Sequence, residues 1–336
     1  VAPDASYIGR LAPSPTGEYH LGNLSTSLLA WIRARRAGGR LILRDEDIDR
    51  PRVIAGASGR IIDDLRWLGI EWDCGPDRGS DGGPYVQSQR MEQYLEASRV
   101  LRDRGALYPC FCSRRDVHEV LSAPHFEATR LQYPGTCALL EPAESWARAS
   151  SSPHALRFRA LGTRVVHDAL AGDLRVDIAT YPGDPVLVRR DGLPAYHLAV
   201  VVDDLAMGVT EVVRGRDLLD VTPLQIAIAE ALGGVFPATC HAPMLVDADG
   251  GKLSKRFGSA GRARLVEAGW CAAELRGAFA WLWGWIAGPE PLAADELLGL
   301  WQDAPLRRDA IAVPLALLDG PAELRRWARA NHRGVP

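Results

Sequence analysis

The chain has 336 residues, of which 47% are hydrophobic and 24% charged, with a formal net charge of −3. That apolar content and that small net charge exclude disorder as the main state and imply a soluble globular protein with a substantial core. The balance also gives no global basic signature, so any nucleic-acid binding must rest on local arginine patches.

At about 150 residues per domain, the length suggests two domains, with room for an insertion. Tyr7–Leu11 reads as a short strand, and Pro13, Pro15 and Gly17 punctuate a turn after it. Leu21, Leu24, Leu28 and Ile32 then recur at helical spacing, stopped by Gly38-Gly39, and Leu41–Leu43 reads as a second strand. Strand, helix, strand is the start of a parallel α/β sheet. Ile61–Leu68 and Met91–Arg104 read as helices. From Cys110 to about Pro185 the periodicity breaks up, with short strands at Ala155–Phe158 and Val186–Arg189. Leu198–Val202 is a continuous apolar run suited to a strand buried on both faces. Gln225–Leu232, Ala260–Gly269 and Ala272–Ile286 read as helices, the last carrying the cluster Trp281, Trp283 and Trp285. Apolar runs are too short to cross a bilayer. Val1-Ala2-Pro3-Asp4 lacks the layout of a signal peptide, so the expected location is the cytoplasm, with no membrane partner. In that reducing compartment the six cysteines are not a disulfide framework.

Of the 39 basic residues, only two are lysines, Lys252 and Lys255, three positions apart in Gly251-Lys252-Leu253-Ser254-Lys255-Arg256. In an arginine-rich chain this placement implies that a compact ammonium is needed there. Near the other end, Arg10-Leu11-Ala12-Pro13-Ser14-Pro15-Thr16-Gly17 leads into His20-Leu21-Gly22-Asn23 at a helix start. A helix N-terminus offers free backbone N–H groups and a positive dipole end to a phosphate. Gly22 lets a base or ribose approach the backbone, and His20 can donate to a phosphoryl oxygen while neutral. Neither a GxGxxG fingerprint nor a Walker A loop occurs here.

Together these segments resemble the class I aminoacyl-tRNA synthetases of the glutamyl group. His20–Asn23 is similar to the HIGH signature, with Asn23 in place of the last histidine. Lys252–Arg256 is similar to the KMSKS signature, with Leu253 for methionine and Arg256 for serine. The resemblance runs from about Tyr7 to Gly258. It implies a Rossmann-type parallel sheet over 1–105 and 186–250, a zinc-bearing insertion over 106–185, and a KMSKS-type loop with a helical region over 251–336. It also implies ATP with Mg²⁺: His20, Lys252 and Lys255 as catalytic groups, and His20, Gly22, Asn23, Lys252, Ser254 and Lys255 as the ATP site. Cations aimed at the growing phosphoryl charge are each worth on the order of 3 kcal/mol.

For the amino acid, the family places a glutamate two residues after the arginine in Arg44-Asp45-Glu46-Asp47, so Glu46 is expected to hold the substrate's α-ammonium. By the same resemblance Tyr196 lines the pocket, Arg214 reads the side-chain carboxylate of L-glutamate, Arg10 is a second cation, and Ala12 and Ser14 border it. Guanidinium against carboxylate is the chemistry an acidic amino acid requires. Asp203 and Asp204 read as structural, because successive side chains diverge on an extended segment.

Cys110-Phe111-Cys112 followed by Cys137 suggests Zn²⁺. His118 and His125 are the ordinary candidates for a fourth ligand, whereas the resemblance points to Tyr133, four residues before Cys137. Cys74, Cys240 and Cys271 have no partners in sequence. Only 80 residues follow Arg256, too few for the anticodon-binding region of a full glutamyl-tRNA synthetase. The Cys-x-Cys…Tyr-x₃-Cys pattern and Val200, four residues after Tyr196, resemble the shorter glutamyl-queuosine tRNA(Asp) synthetases. That resemblance implies transfer of glutamate to queuosine-modified tRNA(Asp); a monomer is expected. The alternatives are a ligase adenylating glutamate for a small acceptor, and a non-catalytic zinc- and RNA-binding paralogue. Residues 305–336 extend beyond the usual length of the shorter family; Arg307, Arg308, Arg325, Arg326 and Arg329 either contact phosphates or form a solvated face.

Overall fold

The computed structural model describes residues 7–79, 82–113, 115–116, 133–181, 183–251, 253 and 261–331. The expected opening unit is present. Strand β1 (Ile8–Leu11) lies parallel to β2 (Arg40–Leu43), joined by helix α1 (Leu21–Arg36). The first strand is buried throughout, and β2 is buried after Arg40, as a sheet covered by helices requires. α1 closes a main core with Leu24, Leu28 and Ile32, against Phe279 and Trp283 of the C-terminal part.

Strands β3 (Leu107–Cys110), β4 (Ala155–Phe158) and β7 (Val186–Val188) form an antiparallel sheet in the order β3-β4-β7. The hairpin of β5 (Thr163–Asp168) and β6 (Gly172–Asp177) joins a second sheet in the order β6-β5-β9-β8, where β8 is Glu211–Gly215 and β9 is Ala238–Ala242. In it β9 runs parallel to both β5 and β8. The Thr210 amide, just before β8, donates to the Ile8 carbonyl at 2.9 Å, which sets β8 beside β1. β10 (Met244–Val246) pairs in parallel with β11 (Ala310–Ala312). No described helix is long and apolar enough to cross a membrane.

Leu198–Val202 is not a strand. It lies within the helix Tyr196–Ala206. Seven consecutive residues, Leu198 to Asp204, are buried, because the helix packs between the helices Met91–Asp103 and Thr222–Ala231. A helix covered on all sides loses its periodic signal, and a short apolar run then reads equally as strand. Asp203 and Asp204 therefore diverge by a helical step rather than a pleat; Arg44 reaches both, at 3.6 and 2.7 Å, but their closest partners differ. Asp203 takes Arg90 at 2.6 Å, and Asp204 takes Arg44 at 2.7 Å.

The helix expected over Ala272–Ile286 is shorter, Ala272–Leu282. Gly284 has φ 79°, and the amides of Gly284 and Trp285 return to the carbonyls of Trp281 and Ala280. This is a Schellman stop, which needs the left-handed conformation that glycine adopts cheaply. Trp283 and Trp285 still meet beyond it, with ring centroids 4.7 Å apart. The segment after residue 305 is no loose tail. Leu306, Ile311, Val313, Leu317 and Leu324 are buried in the main core, Arg325 pairs with Glu274, and Arg326 pairs with Glu323.

Candidate active site

In a parallel α/β sheet, ligands bind beyond the carboxyl ends of the strands. Here three strand ends and the start of α1 converge there. Arg10 and Leu11 end β1, and Arg214 and Gly215 end β8. After β2 the chain stays beside the continuation of β1, with the Arg44 amide donating to Leu11 O at 2.8 Å and the Glu46 amide to Pro13 O at 2.9 Å. That pairing carries Glu46 alongside the Pro13-Ser14 turn. A cavity of about 330 Å³ results. Every residue expected to hold the amino acid, namely Arg10, Ala12, Ser14, Glu46, Tyr196 and Arg214, lines it, and so does Asn23.

The charged groups Arg10, Glu46 and Arg214 in the cavity wall are buried, and so is Arg44 behind them. Arg44 is fully enclosed; it donates to Glu46 at 2.9 Å and to Asp204 at 2.7 Å. Arg10 donates to the Val213 carbonyl at 3.1 Å and lies 3.4 Å from Asp204. Burial pushes the Glu46 carboxyl above its usual range, against the pull of Arg44 and Arg10. Burial also disfavours ionised Asp204, but there the same two guanidiniums prevail and hold its carboxyl below the usual range. Tyr196 is half-buried beside Arg214 and Glu46, and burial raises its phenol. Around this end of the sheet, the buried cations Arg10, Arg44, Arg90 and Arg214 stand against the buried carboxylates Glu46, Asp203 and Asp204.

Arg214 is the informative residue. Its Nε donates to His241 at 3.0 Å and one terminal nitrogen, Nη2, to Thr222 Oγ1 at 2.7 Å. The other, Nη1, is buried and makes no hydrogen bond of ordinary geometry among the described residues, with the Tyr196 phenol as the polar group beside this guanidinium. A buried guanidinium nitrogen left without such a bond in a cavity wall marks the place of an anionic group.

His20 is exposed at the N-cap of α1, and its side chain makes no capping bond. The first turn of α1 contains no acidic residue, so its positive end is not offset from within. A Cβ at Gly22 would meet only the His20 ring, at 3.5 Å, an ordinary contact. The protein itself therefore does not require glycine there, which agrees with space kept for a ligand. Lys252, Ser254 and Lys255 lie outside the described residues. The flanks of their segment are well anchored: Leu253 is buried in the main core, Gly261 abuts Glu18 two residues before His20, and Arg262 pairs with Asp64 at 3.0 Å.

The sulfurs of Cys110, Cys112 and Cys137 all lie within 4.8 Å of one another. Tyr133 Oη is 3.5 Å from Cys110 Sγ and 3.7 Å from Cys112 Sγ. Donors about 3.8 Å apart are the edges of a tetrahedron with metal–sulfur bonds of about 2.3 Å, so this donor set fits a tetrahedral cation. His118 and His125 lie outside the described residues. Cys74 and Cys240 are buried elsewhere, and Cys271 is exposed.

Two groups in contact with Arg214 were not legible in the sequence. His241 and Thr222 touch it across strand and helix boundaries, and Asp168 lies behind His241. Only the strand register reveals them.

A parallel sheet with a mononucleotide-type crossover, a helix start and an arginine-lined cavity at its carboxyl edge define the catalytic domain of a class I aminoacyl-tRNA synthetase. Residues 8–273 match the family described as tRNA synthetases class I (E and Q), catalytic domain. The glutamyl-Q tRNA(Asp) synthetase of Symbiobacterium thermophilum is 46% identical over 93% of this chain and 98% of its own length. That of Nitratidesulfovibrio vulgaris is 44% identical over 93% of this chain and 97% of its own. A crystal structure of glutamate-tRNA synthetase from Elizabethkingia anophelis superposes with TM-score 0.82 at 27% identity, covering 93% of this chain and 69% of that one. The chain belongs to this class I family, within its glutamyl-Q tRNA(Asp) synthetase branch, and is a ligase of the aminoacyl-tRNA synthetase type.

Proposed function

We propose that the chain activates L-glutamate with ATP, without tRNA, and transfers it to the queuosine base at the wobble position of tRNA(Asp). The observation that carries this reading is Arg214 Nη1, buried in the cavity wall with no hydrogen bond of ordinary geometry among the described residues. With Arg10 it receives the side-chain carboxylate. Glu46 takes the α-ammonium, whose charge offsets the burial that raises the Glu46 carboxyl. Ala12, Ser14 and Tyr196 shape the walls around the aliphatic part. The α-carboxylate is then directed toward the start of α1, where His20, Gly22 and Asn23 take the nucleotide.

In the first step a carboxylate oxygen bonds to the α-phosphorus of ATP, the bond to the bridging oxygen breaks, and pyrophosphate leaves. Lys252 and Lys255, with Ser254, neutralise the leaving group from one flank and His20 from the other. Mg²⁺ accompanies ATP and screens its phosphates. In the second step a hydroxyl of the queuosine cyclopentene diol attacks the activated carbonyl carbon, loses its proton, and AMP leaves. Cys110, Cys112, Tyr133 and Cys137 would hold a structural Zn²⁺ that clamps the insertion, assigned to 106–185, against the RNA.

The branch membership favours an RNA acceptor, and the test is direct. Labelled glutamate is offered with ATP and tRNA(Asp) isolated with and without queuosine. The reading expects label on the modified tRNA only. Label on unmodified tRNA would refute the acceptor, and adenylate formation with transfer to neither would favour a small acceptor.

A further inference from the structure

Asp168, His241 and Arg214 sit on three adjacent strands, β5, β9 and β8. Arg214 and His241 are direct partners in the register of β8 with β9, and Asp168 is paired with Thr239 on the other side of β9. Their side chains form one connected line under the cavity. Asp168 Oδ1 accepts the backbone amides of Leu170, Ala171 and His241 at 3.0, 2.8 and 3.0 Å. Its Oδ2 lies 2.5 Å from His241 Nδ1. His241 Nε2 lies 3.0 Å from Arg214 Nε and 3.1 Å from Thr222 Oγ1. The side chains of His241 and Asp168 are wholly buried.

We propose that Asp168 and His241 are positioning residues that fix the plane of the Arg214 guanidinium, and thereby the preference for a carboxylate over an amide in the amino-acid side chain. The inference rests on the glutamate reading above and deepens it. An ionised Asp168 compels Nδ1 to carry the imidazole proton. Nε2 is then an acceptor, the role Arg214 Nε–H requires. Burial keeps the imidazole neutral, and Asp168 stays ionised because its hydrogen bonds from His241 and backbone amides outweigh burial. With Nε and Nη2 both tied back, Nη1 is the terminal nitrogen left for a carboxylate. Neither His241 nor Asp168 lines that cavity, so their action on substrate passes through Arg214.

The sharpest variant is Asp168→Asn. The three backbone amides demand an oxygen at the Oδ1 position, so the new amide nitrogen faces His241 Nδ1. The proton must then move to Nε2, which confronts Arg214 Nε–H donor to donor. The assay is glutamate-dependent ATP–pyrophosphate exchange without tRNA, varying glutamate and ATP in turn and repeating with glutamine. Asp168→Asn is expected to raise the KM for glutamate about tenfold or more, leave that for ATP within about twofold, and reduce the glutamate-over-glutamine preference about tenfold. His241→Phe is expected to do the same, whereas His241→Gln, whose side-chain oxygen can accept from Arg214 Nε, retains most of the preference. Should His241→Phe fail to fold, the isosteric Asp168→Asn decides. Folded Asp168→Asn with an unchanged glutamate KM and preference would overturn the inference, as would glutamate and ATP KM rising together. Wild-type protein without any glutamate-dependent exchange would instead refute the underlying function.

Discussion

At the residue scale, chemistry at the site is set by which groups the fold leaves without a partner. Arg44 is consumed by Glu46 and Asp204, so it organises the pocket but has little left to offer a ligand. Arg214 keeps one nitrogen in reserve. On the nucleotide side, a compact ammonium on the leaving pyrophosphate is the contribution expected of Lys255. Lys255→Ala should reduce adenylate formation by about 10²-fold or more with the fold intact. Single-turnover adenylate formation, with circular dichroism as the fold control, measures this. An unchanged rate would remove Lys255 from the mechanism. The pocket residues were legible in the sequence because each sits within a short stretch whose spacing survives without the fold: Arg10 and Ser14 before His20, Glu46 two residues after Arg44, and Arg214 beside Gly215. His241 and Asp168 were not, because 73 positions separate them and only parallel pairing through β9 brings them together.

At the element scale, the local pattern revealed β1, α1, β2, β4 and the helix Met91–Asp103, the last buried along one side through Tyr94, Ala97, Ser98 and Leu101. It failed for Tyr196–Ala206, which is enclosed, and for the hairpin β5–β6, whose exposed faces carry few apolar residues. The helix Ala272–Leu282 yields a prediction with a sign opposite to helix propensity. A Cβ at Gly277 would come within 1.7 Å of the Glu290 carbonyl oxygen. Alanine normally stabilises a helix by about 1 kcal/mol over glycine. Here the neighbouring backbone must move, at a cost of about 1–3 kcal/mol. Gly277→Ala should therefore lower Tm, and a raised Tm would show that the segment yields freely.

Asp64, on the helix Ala57–Trp67, anchors Arg262 where the chain returns from the lysine segment. Burial, with Glu18 and Asp63 nearby, pushes its carboxyl up to about 6 despite Arg262. The folded protein thus binds more protons than the unfolded chain between roughly pH 4 and 6, and this group's contribution to stability falls as pH rises through that window. Asp64→Asn removes the dependence. The Tm of the variant should match the wild type near pH 4 and exceed it increasingly up to pH 7. A difference constant across that range would contradict the assignment.

At the scale of the whole molecule, the segment beyond residue 305 completes the main core and adds β11 to β10, so its arginines mostly serve the protein. Arg308 donates to Leu282 O, and Arg325 and Arg326 are ion-paired. The cysteine cluster belongs to the β3-β4-β7 side, remote in the chain from the cavity residues. Purified protein should carry about one equivalent of zinc, lost in Cys110→Ser. Tetrahedral sites of this kind hold a fold together, so glutamate-dependent exchange should survive the loss while transfer to tRNA declines. Metal-free wild-type protein would remove zinc from the account.

The central claim is that the buried Arg214 nitrogen selects a carboxylate and that activation needs no RNA. Pyrophosphate exchange by the intact chain, with ATP and each of glutamate, glutamine and aspartate in the absence of tRNA, tests both parts at once. The account predicts exchange with glutamate, and rates at least about 10²-fold lower with the other two. Equal exchange with glutamine, or none with glutamate until tRNA is added, would contradict it.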